Sequence, residues 1–195
     1  MTIWKLAISA ITCGILLNLS APPAVAQDRN GPRVELAHAL FLSEVRGGVL
    51  YHDTMGRENG IDINAEILSR FAALEFTTPF LDTRAMLRPH LGVNLNTAGS
   101  TSMAYFGYSL TVDLNTWLFV EGSFGGMFHN GNTGVNKPNT LSLGCSLLFR
   151  EAASLGVRFS ESVNLSAMIE HSSNAGGCTG NNGMTNVGMR LGYLF

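Results

Sequence analysis

The stretch VNLSAMIEHSS at 163–173, followed after a polar loop by VGMRLGYLF at 187–195, decides the fold. In both runs every second residue is mostly apolar, and the residues between are mostly polar, charged or glycine. A side-chain period of two is typical of a β-strand with two different faces. The parity of the first run places His171 and Ser173 on the same face as Ile169. A base and a potential nucleophile are therefore expected side by side on an apolar strand face.

The rest of the chain predicts about eight strands, an even number that is typical of single-chain bacterial outer-membrane barrels. The connections alternate between tight turns at 115–116 and 160–162 and longer polar loops, as in such barrels. Residues 70–83 break this alternation and are expected to form a longer turn or a short helix. The expected strands are 44–52, 61–67, 87–95, 103–114, 117–127, a long bulged strand at 141–160, 163–173 and 185–195.

The composition also favours a membrane barrel. The 195 residues include 22 glycines, and 13% are charged, whereas about a quarter of a typical soluble domain is charged. After the N-terminal segment no stretch is apolar enough for a transmembrane helix. We therefore predict an all-β fold, an eight-stranded antiparallel transmembrane β-barrel of the outer-membrane type. A soluble secreted β-sandwich is the alternative fold.

The N-terminus has the pattern of a cleaved signal peptide. Lys5 precedes an apolar region at 6–17, and Ala24-Val25-Ala26 forms a small-x-small cleavage site. We assign 1–26 to the signal peptide, 27–43 to a leader and 44–195 to the barrel; an uncleaved anchor helix is the alternative. Residues 27–195 carry 11 Lys+Arg against 14 Asp+Glu, a formal charge of −3, so no basic field favours nucleic acid.

The remaining charged and histidine side chains give no sign of a metal site, and no cofactor is predicted. Four charged residues have the parity of the barrel interior and are expected to form a polar network there: Asp62, Glu66, Arg88 and Arg190. Four histidines do not combine with acids at metal-ligand spacing: His38, His52, His90 and His129.

After removal of the signal peptide two cysteines remain, Cys145 and Cys178. Pairing of the strands 141–160 and 163–173 through the tight turn would bring these two positions opposite each other. A secreted chain permits a disulfide. The loop around Cys178 need not follow the ladder, so the register leaves the disulfide open.

His171 and Ser173 have the chemistry of an esterase. A Ser hydroxyl needs a neighbouring base to become a nucleophile, and residues i and i+2 on a strand point the same way, roughly 7 Å apart. Asn174 could donate an amide N–H to an oxyanion, and Asn181 could help to shape the loop. Polar groups on a lipid-facing strand face are costly and tend to be functional.

The C-terminal third also resembles a known family. A close likeness covers 165–195 and a looser one covers 44–66 and 143–159. The motifs that carry it are HSSNAG at 171–176, NNGMTNVG at 181–188 and the ending LGYLF at 191–195. They resemble the PagL-type lipid A 3-O-deacylases, also called the bacterial acyloxyacyl hydrolase family. The resemblance implies an eight-stranded outer-membrane barrel that hydrolyses the ester at the lipid A 3-position.

The resemblance also implies roles for individual residues. His171 matches the base, Ser173 the nucleophile, Asn174 an oxyanion-hole contributor and Asn181 a further family asparagine. The family places a Glu, which orients the His, where this chain has Thr185. Three alternatives follow: Thr185 or its neighbour Asn186 orients the imidazole, the site is a His–Ser dyad, or the protein is an inactive barrel with a structural or adhesin-like role.

The hypothesis from the sequence is thus a serine esterase that removes an acyl chain from lipopolysaccharide. We expect it in the outer membrane of a Gram-negative bacterium, surrounded by membrane lipid, with the active site toward the outer leaflet. The sequence leaves a homodimer open.

Overall fold

The computed structural model describes residues 41–134 and 141–195, so the expected signal peptide and most of the expected leader lie outside the described residues. Within these ranges nine strands form one antiparallel sheet. They are β1 (Leu42–Tyr51), β2 (Ile61–Ser69), β3 (Leu74–Thr77), β4 (Arg84–Asn96), β5 (Met103–Asp113), β6 (Leu118–His129), β7 (Leu147–Arg158), β8 (Val163–Ser173) and β9 (Met184–Leu194). The described ranges contain no helix long and apolar enough to cross a membrane.

The sheet closes into a barrel of eight strands, which confirms the predicted fold class. β1 pairs with β9, the strands β4 to β9 pair in sequence, and β2 pairs with both β1 and β4. β3 is an extension: it follows a break after β2 and pairs with the first residues of β4. Residues 70–83 therefore form a break, a short strand and a turn. The short helix considered for this segment is wrong.

The two faces of the wall are apolar outside and polar inside. In β2, Asp62, Asn64 and Glu66 are buried, while Ile63 and Ile67 are exposed. This pattern is the reverse of that in a soluble domain and matches a barrel whose outer wall faces lipid. A closed sheet with this inverted pattern excludes the β-sandwich alternative.

Buried ion pairs fill the barrel interior, as the lumen parity of the charged residues predicts. The Arg46 guanidinium contacts Glu66 and Glu121 at 3.0 and 2.6 Å, and Arg190 contacts Glu66 at 2.7 Å. Arg88 lies 2.8 Å from Glu44. We call the following four acids and four bases, all buried, the lumen network: Glu44, Glu66, Glu121, Glu170, Arg46, Arg88, Arg150 and Arg190. Its four negative and four positive formal charges balance, so ion pairs stabilise the interior.

The two ends of the barrel differ. The turn end carries the C-terminus and the connections 70–83, 114–117 and 159–162. The loop end carries 52–60, 97–102, 130–134, 141–146 and 174–183. Apart from the expected strand 141–160, strands begin and end within three residues of their expected bounds.

The predicted strand 141–160 is wrong over its first six residues. Leu141 and Leu143 are fully buried and pack on Tyr105 and Met127 over the loop end of the lumen. Their alternation with polar residues reflects this inward packing. Gly144, at φ +78°, turns the chain before β7 begins. The expected bulge is also absent from the described β7, which pairs with β6 and β8 in a continuous register.

Candidate active site

His171 and Ser173 lie on the outer wall at the loop end of β8. Both are half-buried and share their face with the exposed Ile169, while Glu170 and Ser172 are buried on the lumen side. The sequence parity therefore gives the correct facing of both residues.

Two strands flank His171 in register. On β9 its partner is Thr185, and on β7 its partner is Glu151. The Nδ1 atom of His171 lies 2.8 Å from Oγ1 of Thr185, a hydrogen bond between two side chains on the outer wall. Thr185 thus contacts the imidazole directly. Asn186 points into the lumen, where its amide donates to Glu170, so it does not contact His171.

The other edge of the imidazole, which carries Cε1 and Nε2, lies beside Gly183. By register Gly183 stands opposite Ser173, one step beyond the last β8–β9 pair of Ser172 and Met184. A Cβ atom at Gly183 would come within 2.8 Å of Cε1 and 3.1 Å of Nε2 of His171. Only a glycine leaves this space for the ring. Among the described residues, neither Nε2 of His171 nor Oγ of Ser173 has a hydrogen-bond partner, and the two are not bonded to each other.

Asn174 fixes the loop that follows Ser173. Its Nδ2 atom donates to the carbonyl oxygens of Leu143 at 2.9 Å and Gly180 at 2.7 Å. Its Oδ1 atom accepts from the N–H of Gly176, and its own N–H donates to Oδ1 of Asn181. Asn174 is buried, and both of its amide hydrogens are engaged in these loop contacts. In this arrangement the predicted oxyanion donor supports the loop instead.

A disulfide joins the same loop to the segment before β7. Cys145 and Cys178 are bonded, with Cα atoms 5.8 Å apart, so the pairing that the sequence left open is present. Both residues lie in loops, outside the strand ladder from which the pairing was considered. The N–H of Asn182 also donates to the Ser142 carbonyl at 3.0 Å. The loop after Ser173 is thus held at several points.

The 52–60 loop holds the start of β9 from the other side, and nothing in the sequence pattern indicated this. Arg57 donates to the carbonyl oxygens of Asn182 and Gly183, both at 2.7 Å. Asp53 accepts from Arg57 Nε at 3.0 Å and from Nη2 at 2.6 Å. The Asp53–Arg57 pair therefore positions the backbone of Gly183, which makes room for the His171 ring.

His52, at the base of this loop, is a charged anchor. Burial would lower the pKa of His52, but its hydrogen bonds to Asp62 at 2.9 Å and Glu58 at 3.2 Å outweigh that effect and raise the pKa to about 9. The loop is therefore fixed by an imidazolium at neutral pH. The described residues contain no cluster of three or more His, Cys, Asp or Glu side chains that could hold a metal ion.

The fold and the site together define a class. A closed eight-stranded barrel with an apolar outer wall, a charged interior and a His–Ser pair on that wall is an outer-membrane barrel with the residues of a hydrolase. The family model of the lipid A 3-O-deacylases (PagL) matches residues 71–194, which include His171, Ser173 and Thr185. The chain belongs to the PagL lipid A 3-O-deacylase family.

A crystal structure supports the fold. The crystal structure of the outer membrane enzyme PagL superposes with a TM-score of 0.62 at 16% identity, over 78% of this chain and 100% of that chain. A designed transmembrane β-barrel gives 0.46 at 15% identity, over 80% and 96% of the two chains. The outer membrane protein Ail of Yersinia pestis gives 0.44 at 12% identity, over 79% and 99%. No curated protein sequence matches the chain.

Proposed function

We propose that this protein is a lipid A 3-O-deacylase that works as a serine esterase on its lipid-facing wall. The observation that carries the proposal is the contact of His171 Nδ1 with Thr185, which leaves Nε2 on the edge of the ring beside Gly183, the residue across from Ser173 by extension of the β8–β9 register. When Nδ1 donates its proton to Thr185, Nε2 keeps a free lone pair, which is the tautomer a general base needs.

The reaction then follows the usual steps of acyl transfer. The Ser173 Oγ atom attacks the acyl carbonyl carbon, and its proton passes to Nε2 of His171. The tetrahedral intermediate collapses, the sugar oxygen leaves with that proton, and the acyl chain stays on Ser173. Water, deprotonated by His171, cleaves the acyl-enzyme and releases the fatty acid. Catalytic hydrogen bonds, such as the one this mechanism needs between Ser173 and His171, commonly form only when substrate is bound.

We assign Asn174 and Asn181 to the support of this site. Donation by Asn174 to the oxyanion would require one of its Nδ2 hydrogens to leave the carbonyl of Leu143 or Gly180 when substrate binds. Their contacts fix the turn directly after Ser173, so loss of either amide should reduce activity through the position of the nucleophile.

The wall beside Ser173 suits an acyl chain. The cross-strand neighbour of Ser173 on β7 is Phe149. The Phe149 ring is 54% exposed and stacks on Phe124 at a ring-centroid distance of 6.1 Å. Such a surface accepts hydrocarbon directly from the bilayer. With the loop end facing outward, as in barrels of this type, the site lies at the outer leaflet, where lipopolysaccharide is the lipid.

The test is mass spectrometry of lipid A from cells that express the protein. We expect the loss of one ester-linked acyl chain, and we expect Ser173→Ala to abolish it. Ser172→Ala is the matched control, because Ser172 is the adjacent hydroxyl and points into the lumen. Heat-modifiable gel mobility verifies that each variant folds. Acyl release by Ser173→Ala would overturn the assignment of the nucleophile, and unchanged lipid A with the wild type would favour a non-catalytic barrel.

A further inference from the structure

The outer wall carries almost no ionisable acid or base. Outward-facing positions alternate with buried ones along all eight wall strands. At those positions, over the strands that the structure describes, Glu151 and His171 are the only Asp, Glu, Lys, Arg or His residues. Register makes them direct cross-strand partners on β7 and β8. Two isolated ionisable groups on a lipid-facing wall thus stand next to each other.

Glu151 is exposed on the wall between the apolar outward residues Phe149 and Ala153. It makes no hydrogen bond or salt bridge within the described part of the chain, unlike the acids of the lumen network. A carboxylate at a lipid-facing position is costly and tends to be functional. Because Cβ atoms of directly opposed residues lie about 4.5–5.5 Å apart, the Glu151 carboxylate can approach the imidazole of its partner.

The three strands therefore present Glu151, His171 and Thr185 in one row across the wall. Thr185 holds Nδ1 but is neutral, so it cannot balance the positive charge that His171 gains when it takes the proton of Ser173. Glu151 supplies a negative charge from the opposite neighbour, β7.

We propose that Glu151 is the acid of this active site, acting on His171 as an electrostatic positioning residue from its register position on β7. This inference rests on the proposed function. The division of labour is that Thr185 orients the ring through its contact with Nδ1, and Glu151 stabilises the imidazolium formed with the tetrahedral intermediate. No covalent step and no proton transfer involves Glu151.

The experiment uses the refolded full-length barrel and two readouts. The first is kcat and KM for acyl release from lipid A, and the second is the rate at which a fluorophosphonate probe labels Ser173. We expect Glu151→Gln to lower both kcat and the labelling rate by about 10- to 100-fold without raising KM. Glu151→Asp, which keeps the charge, should recover most of both rates. Glu161→Gln, an exposed acid in the turn at the opposite end, is the control and should change neither.

A double variant tests whether an acid on the other flanking strand can replace Glu151. Adding Thr185→Glu to Glu151→Gln places an acid on β9, and we expect it to recover the labelling rate. Wild-type labelling rates in Glu151→Gln would overturn the proposal, as would equal losses in Glu151→Gln and Glu151→Asp. If labelling depends on Glu151 but lipid A is unchanged, the proposed substrate is wrong and the role of Glu151 stands. If Ser173 is not labelled at all, both are wrong.

Discussion

Replacement of Thr185 by Val tests how the imidazole is held. Val has the shape of Thr without the hydroxyl, so the variant removes the 2.8 Å contact to Nδ1 and little else. The backbone carbonyl of Thr185, which accepts from the Thr54 N–H at 2.7 Å, is unaffected. A neutral hydrogen bond contributes about 1 kcal/mol, and about 1.4 kcal/mol corresponds to tenfold in rate. We therefore expect kcat to fall by about 5- to 10-fold.

The assay is acyl release from lipid A in detergent micelles, with Thr185→Ser as the control that keeps the hydroxyl. We expect Thr185→Ser to stay within about twofold of the wild type. If Thr185→Val retains full activity, Thr185 does not orient His171. If the loss equals that of Ser173→Ala, one hydrogen bond is too small to explain it, and the division of labour between Thr185 and Glu151 is wrong.

Three further predictions concern the structure around the site. Arg46→Met should lower the free energy of unfolding in urea by about 3–5 kcal/mol, because it leaves an uncompensated buried acid. Adding Glu121→Gln should recover part of that loss. A double variant as unstable as the single one would contradict this prediction. Replacement of Cys145 and Cys178 by Ser removes a cross-link between positions 33 residues apart, which stabilises the fold by at most about 4 kcal/mol in the chain-entropy model. We expect the 174–183 loop to be cleaved faster by protease in this variant. An unchanged rate of cleavage would refute the prediction. The folded pKa of His52, about 9, exceeds 6.5, so its contribution to stability is complete below pH 6.5 and is lost as pH rises through about 9. The hydrogen-exchange protection factors of the 52–60 loop, which are corrected for the intrinsic pH dependence of exchange, should therefore fall over that range in the wild type and not in His52→Gln.

The sequence predicted what depends on local alternation. The bounds of β8 and the facing of His171 and Ser173 follow from a period of two, which a strand in a closed sheet cannot change without turning every side chain over. The interior position of Glu66 and Arg190 follows from the same parity. The same argument fails in the segment 141–146. There, the alternation of Leu141 and Leu143 with polar residues reflects packing over the end of the lumen and not pairing in a strand ladder.

What the sequence could not give depends on register between distant segments. Glu151 lies 20 positions before His171 and belongs to no motif, so only the β7–β8 pairing brings it beside the imidazole. Arg57 similarly reaches the Gly183 carbonyl from a loop 126 positions away.

The filled interior limits how such a protein can act on a lipid. Lumen Arg and Glu side chains are bound to one another, and Leu141 and Leu143 pack across the loop end. An amphiphile with several acyl chains would have to break these buried pairs to enter, and removing one partner of a buried pair costs several kcal/mol. The outer wall requires no such opening, because Phe149 and its neighbours are exposed there. The proposed catalysis on the wall needs the His–Ser pair and its proposed acid to face outward, so in this mechanism an acid on the outer side of β7 matters more than the many acids inside.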